Sequence, residues 1–158
     1  MILEIERMTS SVFSTYKDIA IKMHAIEQSE VQDQPIDSSE ASAMSTFNRL
    51  LPDGENTKDH FLYSIRAHTT KSIAGYIWIH HQETTIGMEA YLYDLLILDK
   101  YRRMGIGKKS LDHILESLKL AGFRRVVLHA FSRNQAAINL YRNLGFRESS
   151  IYMAKNLK

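Results

Sequence analysis

The chain has 158 residues, 44% hydrophobic and 24% charged, with a formal net charge of +2 and no cysteine. The length suits one compact domain spanning residues 1–158. The lack of cysteine excludes a disulfide framework, a thiol nucleophile and cysteine-based zinc sites.

No apolar run reaches the roughly 20 residues that cross a bilayer, so no membrane partner is expected. The start, Met1–Glu6, alternates apolar and acidic residues and reads as a strand rather than a signal peptide. A cytoplasmic location is the expectation. Charge is unevenly spread. Residues 1–60 carry five Lys/Arg against eleven Asp/Glu, a net of −6; residues 61–158 carry fifteen against seven, a net of +8. The second part suits a polyanionic ligand and the first a cationic one, unless both are ordinary solvated surface.

In chain order, Ile2–Met8 alternates and predicts a strand. Thr9-Ser10-Ser11 offers helix caps, and a helix to about Ser29 follows, with Val12, Tyr16, Ile19, Met23 and Ile26 at steps of three or four. A polar loop with Pro35 leads to a second helix, capped at Ser38 or Ser39 and ending at Leu51. His60–Ala67 and Ser72–His80 predict a hairpin, and Met88–Leu98 a long strand. Gly105–Ala121 reads as a helix stopped by Gly122, Arg125–Phe131 as a strand, and Gln135–Leu144 as a helix between Asn134 and Gly145. Phe146–Ala154 is expected to close the chain as a strand. Strands that come both consecutively and through helical crossovers predict an α/β (α+β) fold, a mixed sheet covered by helices.

The segment Asp99–Ser110 joins a strand to a helix and places Gly105 and Gly107 at the helix start. Glycine lets a phosphate approach unpaired backbone N–H groups, and the helix dipole favours negative charge there. Arg102, Arg103, Lys108 and Lys109 surround the same point. The segment lacks the full P-loop pattern and the third glycine of a dinucleotide fingerprint. Alone, it reads equally as a tight turn with solvated charges.

Arg102-x-x-Gly105-x-Gly107 resembles the Gln/Arg-x-x-Gly-x-Gly/Ala loop of the GNAT acetyltransferases. About thirty residues later, Ser132–Phe146, with Asn134, Ala137 and Tyr141, is similar to their second motif. Together these cover roughly residues 87–158, and the closest likeness is to small bacterial members. The resemblance implies the GNAT fold, with about six to seven strands flanked by four helices, and acetyl-coenzyme A as co-substrate. It implies that the backbone of Leu96, Ile97 and Leu98 pairs with the pantetheine arm. It further implies that the N–H groups of Arg103, Met104, Gly105, Ile106, Gly107 and Lys108 hold the pyrophosphate beside Arg102. Asn134 would bond the arm, Ala137 would leave it room, and Tyr141 would stand near the thioester sulfur as proton donor. The resemblance also allows a homodimer.

Acetyl transfer to an amine needs a base for the ammonium, a donor to the developing oxyanion and a proton for the leaving thiolate. The N–H of Leu98, or of a neighbour on its strand, is the candidate oxyanion donor. Tyr141 can give a proton, although with Ile138 and Leu144 it also makes an apolar stripe. For the base, Glu89, Asp94 and His129 all remain open; Glu89, Tyr91 and Tyr93 are expected on one strand face and Asp94 on the other. His80-His81 points to opposite faces, so no metal is expected. The acceptor is expected to be a small-molecule or peptide amine, and the charge division favours one that is cationic before deprotonation. A non-catalytic coenzyme A sensor would keep the same motifs. Nucleic acid is not expected as a partner, because the aromatics fall in core-like strand positions rather than among the cations.

Overall fold

A computed structural model describes residues 2–157. Its elements are β1 (Leu3–Arg7), α1 (Ser10–Gln32), α2 (Ile36–Leu50), β2 (His60–Ala67), β3 (Ile73–Thr84), β4 (Gly87–Ile97), α3 (Ile106–Leu120), β5 (Arg125–Leu128) and α4 (Gln135–Asn143). The five strands form one mixed sheet in chain order. Each of β1 to β4 is antiparallel to its neighbour, β1 reaching β2 through α1 and α2 and β2 to β4 following one another through short turns, whereas β5 is parallel to β4 and is reached through the α3 crossover.

Strand alternation sorts the core into two layers. On one face Leu62, Tyr76, Trp78 and Leu96 meet Tyr16 and Ala20 of α1 and Phe47 of α2. On the other, Ile77, Ile79, Ala90 and Leu92 meet Ile106, Leu111 and Ile114 of α3, with Tyr141 and Leu144 of α4 packed alongside. Helix α1 starts where the Thr9 hydroxyl accepts from the Val12 N–H, and ends at Asp33, whose φ of 51° is left-handed. It packs against both the sheet and α2, so it buries Phe13, Ala20, Ile21 and Ala25 as well as Tyr16. The expected stripe is therefore too narrow, and Ile26 is exposed.

Two local features shape the site. First, Trp78 pairs with Asp94 and Ile79 with Leu92, which leaves Tyr93 as an extra residue on β4. Such a β-bulge bends its strand and breaks the alternation of faces. Second, β5 pairs with β4 only over Glu89–Leu92. Past the bulge the two strands separate, and a wedge opens between them.

The expected seventh and sixth strands are absent among the described residues: the sheet has five. Phe146 packs edge-on to Tyr141, and the Glu148 carboxylate accepts from the Arg142 guanidinium. These contacts tie the segment after α4 to α4, and it adds no strand beside β5. Beyond them Ile151, Tyr152 and Met153 are exposed. No helix is long and apolar enough to cross a membrane, and no group of three or more His, Asp or Glu could hold a metal, among the described residues.

Candidate active site

The loop after β4 turns through Asp99–Tyr101 and enters α3 with Arg103 at φ 57° and Gly105 at φ 74°. The second of these requires glycine, because side chains rarely tolerate that conformation. Gly107 has ordinary backbone geometry; a Cβ there would make ordinary contacts at 3.5 Å with Ile97 and Leu140, so a methyl fits between β4 and α4 and a longer side chain would project into that space. The first helical bond runs from the Lys109 N–H to the Gly105 carbonyl, 3.0 Å. The N–H groups of Arg103–Lys108 therefore donate to no backbone carbonyl among the described residues. Six consecutive donors at a helix start form an anion cradle. Arg103 and Lys109 are exposed beside it. Arg102 is held at the strand end, donating to the Ile97 carbonyl at 3.2 Å and pairing with Asp99 at 3.0 Å, and Lys108 pairs with Asp112 at 3.0 Å.

The wedge exposes one edge of β4. The Leu98 N–H donates to the Ala74 carbonyl at 2.9 Å, so it is used by the sheet and points away from the wedge. Antiparallel alternation then turns the N–H groups of Leu95 and Ile97 outward, toward the space β5 has left. These neighbours, not Leu98, are the donors a ligand in the wedge would meet. On the opposite wall Asn134 caps α4, its Oδ1 accepting from the Ala137 N–H at 3.2 Å. Its NH2 group is the part left for a ligand.

Loop and wedge open into one cleft of about 830 Å³, which also reaches α1 and α2. Asp94, Tyr141 and His129 all line it. The bulge is what brings Asp94 there. With Tyr93 inserted, Asp94 lies on the α1 face together with Tyr91 and Tyr93, rather than opposite them. The Tyr16 hydroxyl donates to its carboxylate at 2.9 Å. Burial raises the Asp94 carboxyl to about 6, partly offset by that hydrogen bond. Burial, and then the charges of Asp94 and Glu27, push the Tyr141 phenol up to about 12. The cleft thus pairs a carboxylate poised near neutrality with a hydroxyl that keeps its proton.

Glu89 is placed elsewhere. It lies in the sheet between Gln82 and Arg125, accepting from the Gln82 amide at 2.7 Å and ion-paired to the Arg125 guanidinium. The Arg125 hydrogen bond holds its carboxyl below the usual carboxylate range. It does not line the cleft. His129 stands at the end of β5, exposed, its ring edge-on to Phe131 at 5.1 Å.

Sequence reasoning missed Tyr16, His24 and Glu27, all on α1 and all at or behind the cleft wall. The available signal was a tyrosine inside an apolar stripe, whose hydroxyl must find a partner once buried. Burial, and then His129, lower the His24 imidazole, and burial raises the Glu27 carboxyl.

A mixed sheet splayed beside a helix-start anion cradle, with a titratable cleft behind it, is the architecture of an acyl-transfer enzyme. The acetyltransferase (GNAT) family model matches residues 23–146, and the chain belongs to that family. It is an N-acetyltransferase. It is 30% identical over 157 residues to the uncharacterized N-acetyltransferase YycN of Bacillus subtilis, covering 99% of this chain and 100% of that protein. The crystal structure of YycN superposes with a TM-score of 0.92 at 29% identity, over 99% of both chains. The [ribosomal protein bS18]-alanine N-acetyltransferase of Escherichia coli K12 is 36% identical over 63 residues, 40% of this chain and 43% of that one. An aminoglycoside acetyltransferase from a soil metagenomic sample, in complex with sisomicin, shares the fold at a TM-score of 0.64 and 22% identity, over 99% of this chain and 97% of that one.

Proposed function

We propose that this protein transfers an acetyl group from acetyl-coenzyme A to a primary amine by direct attack, with both substrates in one cleft. The observation that carries this reading is the shared cavity, in which the anion cradle, the wedge, Asp94 and Tyr141 open onto one another. The residues present fit the co-substrate: unused N–H donors lie at the helix start, and the β4 edge beyond Leu92 is unpaired on the β5 side.

Acetyl-coenzyme A supplies an acyl carbon activated as a thioester. The N–H groups of Arg103–Lys108 hold its pyrophosphate, with Arg103 and Lys109 adding charge. The outward N–H groups of Leu95 and Ile97, with the Asn134 amide, bind the pantetheine arm as an added strand would be bound. One of the two β4 donors also faces the developing oxyanion. Asp94 takes one proton of the incoming ammonium and the free amine attacks the acyl carbon; as the C–S bond breaks, Tyr141 gives its hydroxyl proton to the sulfur and regains one from the nitrogen, so that the N-acetylated amine and the thiol leave and the proton on Asp94 passes to solvent. Tyr16 is a positioning residue: it orients the Asp94 carboxylate and keeps it from rising further.

That role predicts a pH signature. Removing the hydroxyl in Tyr16→Phe deletes a hydrogen bond that favours the ionised Asp94. The acidic limb of kcat/KM moves to higher pH, while turnover above the limb changes little. An unmoved limb would detach Tyr16 from Asp94 function.

Calorimetry tests the co-substrate assignment. Acetyl-coenzyme A binds the wild-type protein, and Gly107→Glu abolishes that binding by projecting a negative side chain into the space beside Ile97 and Leu140. Unchanged affinity in a folded Gly107→Glu protein would remove this loop from the binding site.

A further inference from the structure

With the loop, the β4 edge and α4 taken by the co-substrate, the wall left for the acceptor is built of α1, α2 and an aromatic row on the sheet. Trp78 of β3 and Tyr93 of β4 form its centre, stacked with 4.4 Å between ring centroids and 20° between planes. Tyr93 is the bulge residue, without a partner in the register of β3, and is 36% exposed; Asp94 follows it directly. The placement of its ring therefore rests on the rings it packs against, Trp78 and Tyr91. Trp78 is 3% exposed, and a buried indole N–H needs an acceptor. It finds one in His60 of β2, whose Nδ1 accepts from the Trp78 Nε1 at 2.9 Å. His60 is itself buried, stacks on His80 at 4.3 Å and does not line the cleft.

An indole N–H donates and does not accept, so this bond fixes His60 as the neutral tautomer with its hydrogen on Nε2. Burial, and then the charge of His80, lower the His60 imidazole to about 4, partly offset by Asp59, so its Nδ1 lone pair stays available at neutral pH. Apolar packing alone lets a ring slide or turn over, whereas one directional bond between buried partners selects a single orientation. We propose that His60 is a positioning residue for the acceptor: from outside the cleft, its bond to Trp78 fixes the Trp78–Tyr93 stack as the wall along which the amine reaches Asp94. This inference rests on the acetyl-transfer reading above and adds a residue to the acceptor half of that site.

The probe is phenethylamine, a primary amine whose ring can lie on an aromatic wall. His60→Leu removes the acceptor of the indole bond, and His60→Asn returns an amide oxygen near the place of Nδ1. His60→Leu raises KM for the amine about tenfold, keeps kcat within about threefold and leaves acetyl-coenzyme A affinity unchanged, and His60→Asn restores KM. Where His60→Leu does not fold, His60→Gln, whose amide lies one bond too far, shows the same rise. Trp78 is the only tryptophan of the chain, so the long-wavelength edge of the near-ultraviolet circular dichroism spectrum reads its ring directly. That band weakens in His60→Leu and returns in His60→Asn. An unaltered band, an unaltered KM for the amine, or a KM that His60→Asn does not restore overturns the proposal. Calorimetry of phenethylamine with the three proteins reads the wall without turnover. Affinity lost in His60→Leu and recovered in His60→Asn supports the proposal even where acetyl transfer is absent. Equal affinity in all three, absence of binding included, refutes it even where transfer is present.

Discussion

Tyr141→Phe lowers kcat by about 10²–10⁴-fold, the range that general acid catalysis by one group supplies. The phenol is pushed up to about 12, so it carries its proton throughout the working range, as the proposed donor must. The substitution keeps the ring that packs on Phe146 at 5.7 Å and against the α3-side core. Acetyl-coenzyme A affinity and melting temperature therefore change little, and the loss falls on turnover rather than on KM. Steady-state kinetics with calorimetry on the same preparation checks this. Turnover within about threefold of wild type would make Tyr141 a packing residue and leave the thiolate to depart unassisted.

Asp94→Asn lowers kcat/KM by about a hundredfold or more near pH 7 and makes the folded protein more stable. The two effects share one cause. The Asp94 carboxyl sits at about 6 in the fold against an ordinary 3.8, so the folded state binds this proton more tightly than the unfolded chain does. Stability from this group is full below about pH 4 and declines as pH rises through 4 to 6. Above that window the ionised side chain costs up to about 3 kcal/mol, roughly two pKa units. Asparagine still accepts from Tyr16 and carries no charge, so melting temperature rises by several degrees at pH 8, and the gain vanishes at pH 4. The acidic limb near pH 6 disappears from the rate profile, and the deficit narrows as pH approaches the acceptor amine's own pKa. A variant that is slower but no more stable at pH 8 would mean that the buried carboxylate is not strained as described. Unimpaired turnover would mean that it is not the base.

What could be read from residues alone follows a physical division. Local signals worked where one element decides the outcome. His60–Ala67 is the strand its pattern predicts, and Asn134 caps α4 at the predicted position. Gly105 marks the loop because only the local backbone is at stake. The bulge was not legible, since a bulge at Tyr93 depends on how β3 pairs with β4 and not on β4 alone. That single residue reverses the face of Asp94 and brings it, partly buried, to the cleft wall beside Tyr91 and Tyr93. Nor did the alternation of Glu89 reveal that Gln82 and Arg125 flank it on adjacent strands. The contribution of α1 was hidden for a related reason: helical periodicity marks a buried face but does not say which strand residue that face will meet. The closing strand failed because a β-like pattern over Phe146–Ala154 does not itself supply a partner edge, and these residues pair with no strand.

The most direct test of the account is product analysis with the purified protein, acetyl-coenzyme A and a panel of primary amines, by mass spectrometry and thiol titration together. The account predicts that N-acetylated amine and coenzyme A thiol appear in equal amounts, and that both fall together in Tyr141→Phe and Asp94→Asn. Tight binding of acetyl-coenzyme A with no acetylated amine and no thiol released, across the panel, would contradict it and identify a coenzyme A-binding module that performs no transfer.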